Sequence, residues 1–230
     1  MAKVIYSAMV GDARGKVGGN VMTKGRFGAV DRAKVSPVQP RTSYQRAVRA
    51  GFTDASKAWS ALTDQNTREA WESFARSNPV KDVFGATRIL TGHQMFVRLN
   101  RVVVRLGGTQ IDLPPLALSI SEPISVALTA TAGPAGTLVA TVTGPPAAGE
   151  AVEFWAARPQ NAGRKFVGSN YRLMDVDPVL GDPGPYNLGS MYEWRFGTLI
   201  SGQTIRVLIK YGNPTTGAQG MGVEGKCVVT

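Results

Sequence analysis

The sequence predicts a multi-domain α+β protein with an extended N-terminal β-rich arm, a small three-helix unit and a C-terminal β-sandwich. Three patterns predict it. Glycine breaks separate short runs of β-forming residues near the N-terminus. Apolar residues then recur every three or four positions, and about seven short alternating runs fill the C-terminal half. The expected segments are the arm at 1–41, the helical unit at 42–108, a linker at 109–115 and the sandwich at 116–230.

The arm contains "GDARGKVGG" (11–19), which has the glycines and cations of a phosphate-binding loop. A Walker-type loop needs four residues between its first glycine and its Gly-Lys pair, and then a hydroxyl that binds magnesium. Here three residues separate Gly11 from Gly15, and Val17 after Lys16 has no hydroxyl. The stretch therefore predicts a turn between strands and no nucleotide site.

The first predicted helix begins after "SPVQP" (36–40), because prolines favour an extended chain. Thr42 suits an N-cap, and Gln45 is placed to complete a capping box. The apolar residues of this helix follow one another in steps of three or four, as one stripe. The stripe is Tyr44, Val48, Phe52, Ala55, Trp59 and Leu62.

Two further helices are predicted. Thr63 or Asp64 starts the second, which ends at Asn78-Pro79. Thr91 caps the third, which ends at Gly107. The third helix is expected to bury Met95, Leu99, Val102 and Leu106. Its opposite side carries Arg98, Arg101 and Arg105.

The C-terminal half predicts short strands separated by Gly- and Pro-rich turns, which is typical of a β-sandwich. The alternation is clear at Val152, Phe154 and Ala156. The stretch 175–189 is expected to be a long connection. The predicted strands are 125–133, 136–144, 151–159, 165–176, 191–199, 203–212 and 222–230.

The formal net charge of +10 is unevenly distributed. Residues 1–50 carry ten basic and two acidic side chains, whereas residues 108–230 carry eight basic and nine acidic ones. This asymmetry predicts an acidic or polyanionic partner for the N-terminal half, and a solvated basic tail is the alternative. The expected partner-binding residues of the arm are Arg14, Lys16, Lys24, Arg26, Arg32, Lys34 and Arg41.

The residue inventory argues against an enzyme. His93 and Cys227 are the single histidine and cysteine, so a nucleophilic site would rest on His93 alone and a zinc site lacks ligands. Carboxylates in "DVDPVLGD" (175–182) could bind calcium, but a solvated acidic loop is favoured because the spacing does not match an EF-hand. We therefore expect no catalytic residues, no metal and no cofactor.

No apolar run approaches the length of a membrane span, and the N-terminus lacks an apolar signal core. We therefore expect no membrane partner and synthesis in the cytoplasm. Trp59, Trp71 and Phe74 could be stacking platforms for nucleic acid, but their helical spacing favours core packing.

Two resemblances extend this interpretation. The segment "LISGQTIRVLIKYGNPTTGAQG" (199–220) resembles the late hairpin of fibronectin type III and immunoglobulin-like domains, within a likeness that covers roughly 116–230. The combination of "GKVGGNV", "PRTSYQRAVRAGF", "AWSALTDQNTREAWESFA" and "GHQMFVRLN", over about 15–100, resembles uncharacterised proteins of tailed phages and prophages. The second resemblance implies a structural protein of a virion.

The leading functional hypothesis is a capsid decoration protein that is anchored by its arm, with the sandwich projecting outward. It would contact other virion proteins, capsid or tail subunits, as a homo-oligomer within the assembly. Tail, neck and baseplate positions are the alternatives within the particle. A DNA-binding protein whose arm contacts phosphates is the alternative of another class.

Overall fold

The computed structural model describes residues 2–6, 10–26, 28–36, 38–39, 41–82, 84–133, 136–161, 163–164, 167–177 and 179–230. The chain divides into two compact units, Met1–Ala50 with Asn78–Leu90, and Gly51–Ser77 with Thr91–Thr230. Helices and antiparallel sheets occur together, so the predicted mixed α+β class is confirmed. Within the described ranges, no helix combines the length and the apolar character needed to cross a bilayer.

The first unit contains a four-stranded antiparallel sheet with the strand order β1-β4-β3-β2. Strands β2 and β3 are joined by a turn at Gly18-Gly19, and Gly15 begins β2, so these three glycines of "GDARGKVGG" lie in a strand and a turn. A separate two-stranded hairpin, β5-β6, follows later in the chain. The bounds are β1 (Ala2–Val4), β2 (Gly15–Val17), β3 (Asn20–Gly25), β4 (Gly28–Ala33), β5 (Val80–Lys81) and β6 (Thr87–Arg88).

Helix α1 spans Ser43–Ala61 and starts where the sequence predicts. The hydroxyl of Thr42 accepts a hydrogen bond of 3.3 Å from the backbone N–H of Gln45. The second half of the predicted capping box is missing, because Oε1 of Gln45 is buried without a partner among the described residues. Thr42 therefore acts as a simple N-cap.

The predicted apolar stripe of α1 is only partly covered. Ala55 is buried, and Trp59 is half-buried. Tyr44, Val48 and Phe52, one turn apart from each other, are 42%, 45% and 56% exposed. The N-terminal half of the stripe is therefore more exposed than the sequence predicts.

Helices α2 (Gln65–Ser77) and α3 (Gly92–Arg105) have the predicted caps. The carboxylate of Asp64 accepts hydrogen bonds from the N–H groups at the start of α2. Thr91 and Gln94 form a complete capping box at α3. Gly107 ends α3 with φ 79°, a left-handed conformation that favours glycine.

Aromatic rings hold the helices of the second unit together. Trp71 on α2 is fully buried, and its ring meets that of Phe96 on α3 edge-on at 5.3 Å. The ring of Trp59 lies 5.4 Å from the same Phe96. All four residues that were predicted to form the inner stripe of α3 are buried. The prediction that these aromatic side chains belong to a core is confirmed for Trp71.

Two antiparallel sheets complete the second unit, with the strand orders β10-β9-β12-β13 and β11-β8-β7. Both sheets contribute to one hydrophobic core, for example through Leu138 on β8, Phe154 on β9 and Val207 on β12. The bounds are β7 (Ser125–Ala130), β8 (Leu138–Thr143), β9 (Ala151–Ala156), β10 (Arg172–Val176), β11 (Tyr186–Asn187), β12 (Thr204–Gly212) and β13 (Val223–Val228).

Three predictions for the C-terminal half differ from the structure. The predicted strand 191–199 is mostly helix α4 (Gly189–Phe196), because Leu188, Tyr192 and Phe196 recur every four residues, and the rings of the latter two lie 5.0 Å apart at an angle of 49°. Strand β11 lies inside the stretch that was expected to be a connection. The predicted strand 165–176 begins only at Arg172, and its residues 165 and 166 lie outside the described ones.

Helix α3 packs directly against the β-sheets. Leu106 forms a small apolar cluster with Ala151 of β9. Gly217 has φ 72°, and a Cβ atom there would lie 2.6 Å from the carbonyl oxygen of Leu99, so only glycine allows this approach. The predicted linker 109–115 is attached as well, because the Asn100 side chain hydrogen-bonds both backbone groups of Ile111. Helices α2 and α3 and the sheets thus form one compact body.

Candidate functional site

The seven basic residues that were predicted to bind a partner all lie in the first unit, and all are exposed. Three of them are on strands of the sheet, and four lie in the segments between elements. Lys16, Lys24 and Arg32 are on β2, β3 and β4, respectively. Arg14 precedes β2, Arg26 lies between β3 and β4, Lys34 follows β4, and Arg41 precedes α1.

The strand register divides the basic residues between the two faces of the sheet. Cross-strand partners point to the same face, and Val21 pairs with both Lys16 and Arg32. Thr23 and Val30 pair with each other on that face. We call these five residues the basic face: no acidic side chain is among them.

The opposite face of the sheet is electrostatically mixed. It carries Lys24 together with Asp31, whose carboxylate accepts a hydrogen bond of 3.1 Å from the Asn20 side chain. The Asp12 carboxylate lies 3.3 Å from Nζ of Lys24 and 3.2 Å from Nε of Arg14. Arg14 and Lys24 are therefore paired cations, unlike the two cations of the basic face for which no ion pair is found among the described residues.

The two ion pairs of Asp12, with Lys24 and Arg14, shift the pKa of its carboxyl group. Desolvation raises the pKa, but the hydrogen bond and charge of Lys24, together with the charge of Arg14, outweigh it and hold the pKa below its ordinary value. Asp12 therefore remains ionised over a wide pH range. Arg14 and Lys24 are thus engaged with Asp12, whereas Lys16 and Arg32 share the other face of the sheet and are better placed to meet a partner.

The sheet has very little core of its own. Among the side chains described in 4–41, only that of Ala29 is buried. The edge strand β2 is exposed along its whole length, and so are Val35 and Val38 after the sheet, at 71% and 91%. Small sheets need a covered hydrophobic face to be stable in water, and an uncovered edge offers free backbone groups to another chain. The candidate site is thus an exposed sheet whose edge strand β2 is uncovered.

One buried charge could not be predicted from the sequence. Glu153, which alternates with the apolar residues of β9, is fully buried and paired with Arg105 of α3, which was expected on the side opposite the buried stripe. The regular spacing of Arg98, Arg101 and Arg105 was the only signal in the sequence, and it did not show that Arg105 pairs with Glu153. This pair attaches helix to sheet and has a structural role.

The other residues considered for chemistry have ordinary surroundings. His93 lies in the first turn of α3, with its ring 5.6 Å from that of Trp59. Cys227 on β13 is half-buried, and burial raises the pKa of its thiol. The carboxylates of the loop 175–182 accept hydrogen bonds from nearby backbone N–H groups. Among the described residues, no group of three or more His, Cys, Asp or Glu side chains could hold a metal ion.

Comparison with known proteins gives no relative from which a role could be transferred. No protein-family model, no curated protein and no solved structure matches the chain.

Proposed function

We propose that this chain is a structural protein of a bacteriophage particle, most specifically a capsid decoration protein attached through its N-terminal sheet. The observation that carries the proposal is the sheet itself: it has four strands, Ala29 is the one buried side chain among those described in 4–41, and such a sheet needs a covering partner. The phage-like motifs of 15–100 support a partner within a virion.

The charge of the basic face supports an acidic partner surface. Lys16 lies on the edge strand β2, so two copies that joined edge to edge would bring like charges together. An acidic strand or groove of a neighbouring subunit would pair with β2 and neutralise Lys16 and Arg32. The sheet is therefore suited to a heterologous contact.

Apolar contacts would add to the charge pairing. Val35 and Val38 follow the sheet, and Val48 of α1 lies in the same unit; all three side chains are exposed. Burying such side chains stabilises a complex by roughly 25 cal/mol for each Å² of apolar surface removed from water. A repeated contact in a symmetric shell would also gain from avidity.

We further propose that the seven strands β7–β13 form an immunoglobulin- or fibronectin-type domain that projects outward. The strand orders place the first, second and fifth strands in one sheet and the third, sixth and seventh in the other, as in constant-type immunoglobulin domains. The fourth strand, β10, pairs with the third, which departs from that pattern. Helix α4 is a second departure.

Deleting residues 1–41 tests the anchoring role. The truncated protein should keep its secondary structure by circular dichroism and should no longer co-sediment with particles. A narrower variant, Lys16→Glu with Arg32→Glu, should weaken co-sedimentation as well, whereas Lys57→Glu on the exposed surface of α1 should not. A truncated protein that still co-sediments would contradict the proposal.

Two alternatives remain open to direct test. Labelled particles imaged at low resolution would distinguish the capsid from the tail, neck or baseplate. Lys16 and Arg32 of the basic face also suit phosphates, so duplex DNA should be titrated at increasing salt. A steep loss of DNA affinity with salt, without competition from virion proteins, would favour the DNA-binding alternative.

A further inference from the structure

The second unit contains a cleft of about 1020 Å³ that is lined by the ends of three elements. It lies where β9 ends, β10 begins and α4 ends. None of the described residues that line it is acidic. We call it the arginine cleft, and its principal residues are Arg158, Gln160, Arg164, Arg172, Trp194 and Arg195.

The walls of the arginine cleft are fixed by the sheet. The backbone groups of Gln160 and Thr204 exchange hydrogen bonds of 3.0 and 2.8 Å. The guanidinium of Arg206, which is paired with Glu224, donates a hydrogen bond of 2.8 Å to the carbonyl of Arg164. The arginine side chains thus project from an ordered backbone, which favours a defined ligand geometry.

Gln160 is the first sign that the cleft receives a ligand. Its side chain is 8% exposed, and its Oε1 atom is buried without a hydrogen-bond partner among the described residues. Nearly all buried polar atoms in proteins have a partner. An unpaired acceptor in the wall of a cleft therefore calls for a donor group, such as a hydroxyl, on a bound molecule.

Trp194 is the second sign. Its neighbours on α4, Tyr192 and Phe196, pack against the core, whereas the Trp194 side chain is 81% exposed beside the cleft. An indole is the largest flat apolar surface that a protein can present, and it binds the faces of rings. Arg158, which is also exposed, lies in the same cleft.

We propose that the arginine cleft binds an acidic saccharide, that is, sugar rings that carry carboxylate or sulfate groups. The Arg158 guanidinium binds such an oxyanion in bidentate geometry, and the C–H face of a ring packs on Trp194. A sugar hydroxyl donates to Oε1 of Gln160 after a rotation of that side chain brings the atom to the cleft. The backbone of DNA offers oxyanions but no hydroxyl donor, so it leaves Gln160 unpaired. This inference does not depend on the proposed role in a virion.

The test uses the full chain and a sulfated, uronate-containing hexasaccharide prepared from heparin, with binding followed by calorimetry. Trp194→Ala and Arg158→Ala should each weaken binding about tenfold, because each removes one direct contact of ordinary strength. Gln160→Ala should also weaken it. The matched control, Arg98→Ala, removes an exposed arginine of α3 outside the cleft and should leave the affinity unchanged.

Trp194 and Arg158 are both exposed, so their variants should fold, and circular dichroism checks this. Three results would overturn the proposal. The first is the absence of binding at millimolar hexasaccharide. The second is that Arg98→Ala weakens binding as much as the cleft variants do, which would indicate non-specific charge attraction. The third is that a thymidine hexanucleotide binds more tightly than the hexasaccharide and that Trp194→Ala weakens its binding. Equal affinity for neutral maltohexaose would also contradict it, since the arginines would then have no role.

Discussion

The guanidinium of Arg105 on α3 forms an ion pair with the carboxylate of Glu153 on β9, with Nε 2.8 Å from Oε1. Glu153 is fully buried, and its second oxygen accepts hydrogen bonds of 2.9 Å from Trp155 and 2.7 Å from Gln219. The carboxylate is therefore well satisfied although it lies away from water. The pair fixes α3 to the face of the sheet.

Arg105→Ala should destabilise the second unit by about 3 kcal/mol, because it leaves a buried carboxylate without its counter-ion. Urea unfolding followed by tryptophan fluorescence measures this loss. The control Arg98→Ala, on the exposed side of the same helix, should change the free energy of unfolding by less than about 0.5 kcal/mol. The double variant Arg105→Met with Glu153→Leu should cost less than Arg105→Ala alone, and an additive loss would contradict this account.

Asn100→Ala should release the segment 109–115. The Asn100 side chain is buried and bonds both the N–H and the carbonyl of Ile111, at 2.7 and 3.0 Å. Leaving these backbone groups unpaired should cost about 2 kcal/mol. Limited proteolysis should then cut within 109–115 faster than in the parent chain. Unchanged cleavage would show that the hydrogen bond of 2.7 Å from Trp71 to the Asp112 carbonyl holds the segment by itself.

Two threonine caps should differ in their effect. Thr91→Ala removes a complete capping box at α3 and should lower the free energy of unfolding by about 1 kcal/mol. Thr42→Ala removes one exposed bond of 3.3 Å at α1 and should have a smaller effect. Thermal unfolding by circular dichroism compares them, and a larger loss for Thr42→Ala would contradict the assignment.

Asp177→Asn should stabilise the protein at neutral pH. Burial raises the pKa of Asp177, and the nearby charges of Asp182 and Asp175 raise it further. A group with a raised folded pKa favours folding below its unfolded pKa and loses that contribution as pH rises through the folded pKa. The melting temperature of Asp177→Asn should therefore exceed that of the parent at pH 7 and match it at pH 3. Asp54→Asn, at an exposed position of α1, serves as the control.

Local patterns predicted the helices well. The Thr91 cap, the inner stripe of α3 and its end at Gly107 depend on residues within a few turns, and all three are confirmed. The helix α4 was missed because "MYEWRFGTL" (191–199) mixes aromatic and polar residues in a way that also suits a strand. A helix of two turns gives too short a period for the two patterns to be separated.

Long-range features could not be predicted. The arginine cleft joins Arg158, Arg172 and Arg195, which come from three elements that only the strand pairing brings together. The division of the basic residues between two faces depends on the register of β2 and β3, and glycine-rich strands do not specify register from sequence alone. The burial of Glu153 likewise depends on α3 lying over β9.

The close approach of Gly217 to Leu99 has a consequence for synthesis. These residues are 118 positions apart in the sequence. A ribosome that adds about 5–20 residues per second therefore completes α3 on the order of ten seconds before it adds Gly217, against which Leu99 packs. During that interval helices α2 and α3 of the unfinished chain have to avoid aggregation without the β-sheet against which α3 packs. Arg105 is hydrated during that interval, and it forms its ion pair with Glu153 only after β9 has been made.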